Sequence, residues 1–273
     1  MISVIVTTYN WPEALTLCLQ SLFAQSDLGF EVLIADDGSN DSTSDVIRSR
    51  FYQGPVPVRH IRHEDCGFRA GTIRNKAVSA SNGDYLIFID GDCLVFPDFV
   101  NTHRKLAQTG CFVPGNRILL SQNFTQTVLN KHLFLHEHSS LDFVFYRLTG
   151  KINRLTPLLR LPLGPLRLVK AQFWQKAMTC NFGLWKRDFI AVNGFDEVFQ
   201  GWGYEDSDLV IRLIHNGVKR KEGRFAAPVL HLWHRQNDQS QKDKNLQRLQ
   251  ARLKQRDCIK AELGIDQYLA KNL

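Results

Sequence analysis

The chain has 273 residues, 44% hydrophobic and 22% charged, with a formal net charge of +7. That size and apolar content suit one large domain or two small ones and exclude a disordered chain. Apolar runs such as Val32 to Ala35 and Leu86 to Ile89 fall far short of the ~18 residues a spanning helix needs to hide its backbone in lipid.

Residues 2–7 read as a strand, 12–23 as a helix with Pro12 in its first turn, and 30–35 as a second strand rich in β-formers. The polar run Asp36-Asp37-Gly38-Ser39-Asn40-Asp41-Ser42-Thr43 offers caps for a helix expected at about 43–51. A third strand is expected at 56–61, a helix at 70–81 and a fourth strand at 85–89. Repeated βαβ units imply a mostly parallel sheet flanked by helices, with ligands beyond the carboxyl ends of the strands. The polar loops after Thr7, Ala35 and Ile89 all fall at that edge.

From about residue 116 the regularity fails. Residues 147–170 mix Leu and Arg with Pro157, Pro162 and Pro165, which rules out one long helix, and an insertion or mobile flap is expected. Order returns with a strand at 181–185, a helix at about 206–216 and a strand near 227–230. The tail from Gln241 to about Leu263 reads as a charged helix with Leu246, Leu249 and Leu253 on one stripe.

The positive charge is regional. Residues 147–170 hold six basic side chains and no acid, and residues 235–273 hold nine basic and five acidic; such segments suit a polyanion or an anionic membrane surface. Aromatic residues are not interleaved with the basic run as in a nucleic-acid module, so no nucleic-acid partner is expected. Six scattered cysteines without a C-x-x-C pair suit reduced thiols, and no basic n-region precedes the first apolar run. The expected location is cytoplasmic, peripheral at the inner face of the membrane.

Four constellations bear chemistry. Ile87-Phe88-Ile89-Asp90-Gly91-Asp92 ends an apolar strand in two carboxylates, hard oxygen ligands suited to Mg²⁺ or Mn²⁺ with a diphosphate. Thr7-Thr8-Tyr9-Asn10 with Asp36-Asp37 offers an acceptor for a uracil N3–H and a stacking ring. Asp65-Cys66-Gly67-Phe68-Arg69 through Arg74-Asn75 opens a helix with two arginines, a setting for phosphate. Gly201-Trp202-Gly203-Tyr204-Glu205-Asp206, followed by His231-Leu232-Trp233-His234, supplies a flat sugar platform, a candidate general base and imidazole ligands.

Together the V-T-T-Y-N start, the D-D-G-S loop, R-N before the fourth strand, the D-x-D and G-W-G-x-E-D resemble a family 2 glycosyltransferase of the GT-A fold. The last motif also resembles bacterial galactosyltransferase and chondroitin-polymerase domains. The resemblance covers residues 1–115 and 178–235. It implies a mixed, mostly parallel α/β sheet with a C-terminal helical extension. Thr7, Tyr9 and Asp37 would hold the nucleoside with Asp36 as helper, Arg69 would approach the uridine or diphosphate, and Asp90 the ribose or donor sugar. Asp92 and His234 would bind the metal, His234 matching the family's distal histidine better than His231. Asp206 would be the base, Glu205 would bind a sugar, and Trp202 with Gly203 would form the acceptor platform. Where the family often has A-R-N-x-G, this chain has Ile73-Arg74-Asn75-Lys76-Ala77, which leaves Arg74 without an assigned role.

The implied activity is a metal-dependent, inverting hexosyl- or N-acetylhexosaminyl transfer from a UDP-sugar to a glycan or lipid-linked glycan, in surface polysaccharide or lipopolysaccharide biosynthesis. Residues 1–115 would form the nucleotide-sugar half, 116–235 the acceptor and catalytic half, and 236–273 a helical tail. A nucleotidyltransferase is the competing enzyme class, but its Gly-rich loop and lysine after the first strand are replaced by Tyr9-Asn10-Trp11-Pro12. A non-catalytic glycan-binding module is the third reading; it would be expected to lose Asp92 or Asp206, and both are present.

Overall fold

The strand Ile2–Thr8 (β1) is apolar on both faces because helices cover both sides of the sheet it occupies. Its Ile2, Val4 and Val6 pack with Leu15, Leu19 and Leu22 of α1 (Pro12–Phe23). Its Ile5 points the other way, into a cluster with Ile73, Ala77 and Val78 of α3 (Ala70–Ala80). Between these lie β2 (Phe30–Asp36), α2 (Asp41–Arg50) and β3 (Val58–Arg62), and β4 (Tyr85–Asp90) follows. This is a computed structural model that describes residues 1–50, 53–236 and 238–269.

The chain continues through β5 (Cys93–Val95), α4 (Phe99–Leu106), β6 (Cys111–Pro114), β7 (Asn116–Leu119), α5 (Gln122–Lys131) and α6 (Ser140–Leu148). Then come β8 (Asn181–Trp185), α7 (Lys186–Ala191), α8 (Glu205–His215), β9 (Lys219–Arg220), β10 (Pro228–His231), α9 (Lys242–Lys254) and α10 (Asp266–Leu269). The main sheet has the order β3-β2-β1-β4-β8-β6-β9, and a small sheet has the order β5-β10-β7. Neighbours from β3 to β4 are parallel, whereas β8 runs antiparallel to both β4 and β6. The register sets Thr7 beside Asp90 and Thr8 beside Asp36, so the polar ends of three strands meet at one edge.

Several sequence expectations shift. The third strand begins at Val58 rather than Val56, since Pro57 has no N–H for the ladder and only its carbonyl pairs, with Val32 N at 2.9 Å. The second helix begins at Asp41, and the expected end at residue 51 lies outside the described residues. Order does not fail at 116. Ser121 caps α5, and Ser139 with Asp142 forms a capping box on α6.

Residues 147–170 begin with the end of α6 and hold two short 3₁₀ turns, Thr156–Leu158 and Gly164–Leu168, fastened to their surroundings rather than a free flap. The buried Arg167 donates to the carbonyls of Leu161, Glu222 and Arg224 at 2.7–2.9 Å. The tail helix stops at Lys254, not near Leu263, because the backbone beyond it pairs with the loop after α7. Ala261 N donates to Val192 O, and Glu197 N to Leu263 O.

The tail is locked by charge. Buried Asp208 on α8 accepts from Arg212 at 2.7 Å and from Arg252 of α9 at 2.8 Å, while Arg252 also reaches buried Asp196 at 2.9 Å. Burial alone would lower the Arg252 pKa; Asp208 and Asp196 more than offset this and raise it. Removing that guanidinium leaves buried Asp196 without a cation and Asp208 with Arg212 alone. Arg252→Met should therefore cost about 3–5 kcal/mol in chemical denaturation; a loss no larger than that of an exposed surface pair would contradict this role.

Candidate active site

The carboxyl ends of β1 and β4 open into a cavity of about 980 Å³. Thr7, Tyr9, Asp37, Arg74, Asp90, Asp92, Trp202, Gly203, Glu205, Asp206, His231 and His234 all line it. Gly91 allows the strand ends to close up. Its N–H donates to Thr7 O at 2.7 Å, and a Cβ there would lie 3.1 Å from that oxygen and 3.2 Å from Thr8.

Arg74 is the hub. It sits one turn into α3 and is buried, donating from Nε to Thr7 Oγ1 at 2.9 Å and from Nη2 to Asp90 Oδ1 at 3.0 Å. Its Nη1 lies 3.7 Å from Glu205 and 3.6 Å from Asp206 without a hydrogen bond to either. Burial by itself would lower the Arg74 pKa; Asp90, Asp206 and Glu205 overcome that and raise it. The next residue, Asn75, faces the chain that leads to the acids. Its side chain exchanges hydrogen bonds with the Phe195 backbone, both at 2.9 Å, and donates to Glu197 at 2.9 Å. Gly194 makes room for that amide: it has φ +68°, and a Cβ would lie 2.5 Å from Asn75 Oδ1.

Glu205 and Asp206 open α8, whose amino end favours negative charge. The turn before them is tight, with Gly201, Gly203 and Tyr204 all at positive φ. Their environments differ. Glu205 is buried and its pKa is pushed up to about 7 by desolvation first and by Asp206 second, with Arg74 pulling the other way. Asp206 keeps its side chain 23% exposed and accepts from Thr179 N at 3.0 Å and Thr179 Oγ1 at 2.7 Å.

Beyond Gly91 the second carboxylate turns away from Arg74. Asp92 Oδ1 lies 3.6 Å from His231 Nε2 and Oδ2 lies 3.5 Å from His234 Nε2. Among the described residues these three form a group whose ligand atoms all lie within 4.8 Å of one another. Each imidazole Nδ1 faces a backbone carbonyl, His231 that of Leu232 at 2.8 Å and His234 that of Arg235 at 2.6 Å. That contact leaves the Nε2 lone pair free, the orienting arrangement usual for metal-bound histidine. One carboxylate with two imidazoles fits a divalent cation such as Mn²⁺. The sequence favoured His234 over His231; the structure brings both to Asp92.

On the nucleoside side, Tyr9 is exposed and donates to Asp65 at 2.9 Å. Asp37 accepts from Arg69 N at 2.8 Å and contacts His63 at 2.7 Å, so His63 holds it from behind. Two expected residues do not line the cavity. Asp36 is fully buried, accepting from Ser39 N at 2.7 Å and meeting His60 at 2.8 Å. Burial would raise its pKa, but the bonds from His60 and Ser39 hold it below the usual range. Arg69 contributes its backbone N–H to Asp37, while its guanidinium turns to Glu64 O at 2.5 Å. Sequence reasoning missed His63 and Thr179, each ordinary in its own segment and significant only for the partner it reaches; Asp65 was singled out with the phosphate-binding helix start, but not as the partner of Tyr9.

Residues 3–161 match the family model described as glycosyl transferase family 2, and residues 168–235 match one described as the N-terminal domain of galactosyltransferase. Validoxylamine A glucosyltransferase of Streptomyces hygroscopicus subsp. jinggangensis (strain 5008) is 32% identical over 232 residues, 80% of this chain and 52% of that protein. Hyaluronan synthase of Pasteurella multocida is 27% identical over 237 residues, 79% of this chain and 23% of that protein. The chain thus spans about half or less of the length of these curated relatives. The crystal structure of S. aureus TarS 1-349 in complex with UDP-GlcNAc shares the fold, with TM-score 0.63 at 15% identity over 99% of this chain and 70% of that one.

The raised Glu205 pKa has a stability consequence. The folded state retains a proton between the ordinary value of 4.5 and about 7 that the unfolded state has released, so this group makes stability fall as pH rises through that window. Glu205→Gln should remove that fall, and its stability relative to wild type should climb between pH 4.5 and 7 in denaturation experiments. A difference constant across the window would contradict the assignment.

Proposed function

The chain belongs to glycosyl transferase family 2, and on that premise we propose that it moves a hexosyl or N-acetylhexosaminyl group from a UDP-sugar to a glycan hydroxyl with inversion. The observation that supports this best is the shared cavity: Asp92, His231 and His234 line the same space as Asp206, Glu205 and Arg74. Relatives named for glucosyl transfer and for hyaluronan synthesis agree with a sugar donor. In this reading residues 1–115 form the nucleotide-sugar half, 116–235 the acceptor and catalytic half, and 236–273 a tail that holds the catalytic loop.

Tyr9, Thr7 and Asp37 bind the nucleoside, with His63 fixing Asp37. Asp92, His231 and His234 would hold the cation. A divalent ion bound there supplies neutralisation of the departing diphosphate charge. Arg74 keeps Asp90 facing the ribose and donor sugar, and its free Nη1 donor faces the same space. Trp202 gives the acceptor ring an apolar face with Gly203 beside it. Asp206, oriented by Thr179, takes the proton from the acceptor hydroxyl as that oxygen attacks the anomeric carbon from the side opposite the diphosphate. Buried Glu205 hydrogen-bonds a sugar hydroxyl. The acceptor class proposed is a glycan or lipid-linked glycan of a surface polysaccharide or lipopolysaccharide pathway, met at the inner face of the membrane.

Asp206→Asn should lower kcat by a factor on the order of 10²–10⁴ while UDP-sugar affinity stays near wild type; normal turnover would overturn the base assignment. His231→Ala and His234→Ala should each weaken Mn²⁺ binding by roughly tenfold or more, read by titration calorimetry. Loss confined to the His234 variant would remove His231 from the ligand set.

A further inference from the structure

The helix α6 presents its apolar residues on the wrong side for a soluble surface. It buries Phe143 and Tyr146 against the small sheet's cluster, yet Leu141 is 80% exposed, Phe145 56% and Leu148 81%, with Val144 exposed between them. Positions 141, 144, 145 and 148 follow the i, i+3, i+4, i+7 spacing of one helix face. A solvent-facing stripe of this kind normally holds polar side chains, and a contiguous apolar one marks an interaction site.

Its carboxyl-terminal flank is basic. Arg147 lies exposed on the same helix, Lys151 sits with Nζ 5.2 Å from the Phe145 ring centre, and no acid occurs from residue 147 through 170. The one acid of α6, Asp142, is committed to its capping box, accepting from Ser139 N at 2.8 Å and Ser139 Oγ at 2.7 Å. Further along, an exposed turn shows Leu166 and Val169 next to Lys170.

We propose that α6 is a docking helix for an anionic lipid bilayer, inserting Leu141, Val144, Phe145 and Leu148 at the headgroup boundary while Arg147 and Lys151 meet lipid phosphate. Apolar burial combined with basic flanks is the physical basis of interfacial helix binding. A second copy of the chain fits less well, because a two-fold contact through this face would set its positive charges against themselves. No helix among the described residues is long and apolar enough to cross a membrane.

The helix is coupled to the cavity rim. After α6 the chain turns back so that Asn153 N donates to Leu119 O at 3.1 Å, Leu119 N donates to Asn153 Oδ1 at 3.0 Å, and Arg154 donates to Arg117 O at 2.6 Å. Arg117, Leu119 and Leu120 line the cavity. The chain that leaves α6 is thus pinned to the strand that contributes to the cavity rim. The purpose of docking rests on the proposed lipid-linked acceptor, while the docking itself rests on this surface alone.

The test is flotation of the full chain with phosphatidylcholine vesicles, with and without phosphatidylglycerol, at low and raised salt. The chain should float only with the anionic vesicles, and less at raised salt. Leu141→Glu with Leu148→Glu should lower vesicle partition by about tenfold or more, with thermal stability and UDP affinity unchanged because both side chains are exposed. Failure of the wild type to float, equal flotation of the double variant, or a homodimer that the double variant abolishes would each overturn the proposal. Loss of UDP binding with flotation intact would instead sink the transfer reading and leave docking standing.

Discussion

One buried guanidinium constrains the whole active edge. Arg74 is taken out of water at the end of a parallel sheet, a position that is costly unless carboxylates surround it, and the chain brings three of them to within 3.0–3.7 Å. Those acids come from two places: Asp90 ends the fourth strand, and Glu205 and Asp206 open a helix more than a hundred residues later. The arginine thus joins the half that would bind the donor to the half that would receive the acceptor. Asn75, the neighbouring residue, performs the mechanical part by fastening the loop that leads to the acids. Adjacent residues on one helix turn therefore split electrostatics from anchoring.

The same edge separates two kinds of carboxylate. Asp90 and Asp92 differ by one glycine, yet the first turns to Arg74 and the second to a pair of imidazoles. Glu205 and Asp206 are adjacent, yet burial lifts the proton affinity of the first while Thr179 orients the second. Environments that make neighbouring acids unequal are how one site divides binding from proton transfer.

Much of this was legible in the chain. The alternation of short β-rich runs with helices fixed the mostly parallel sheet and placed three polar loops at its edge, because the period-2 and period-3.6 patterns there are clean. The loops' residues were legible as types and less so as directions. Of the doublet Asp36-Asp37, only Asp37 lines the cavity; Asp36 ends its strand facing His60, a partner on the next strand that local pattern does not reveal. Arg69 and Arg74 looked alike as helix-start arginines, and only long-range partners distinguish the backbone contributor from the hub. Helix α6 stayed hidden because it is apolar inside and outside, so no polar face announced its period. The tail was read as too long a helix because its last turns belong by hydrogen bonding to a distant loop.

In the proposed reaction the Asp92, His231 and His234 group and the Arg74 and Asp206 group serve one bound donor. A crystal structure of the chain with UDP and Mn²⁺ tests it most directly. The predicted result is a cation between Asp92 Oδ and both imidazole Nε2 atoms, touching a diphosphate that lies in the same cavity as Arg74 and Asp206. A cation seated elsewhere, or UDP in a space that Asp206 does not face, would contradict it.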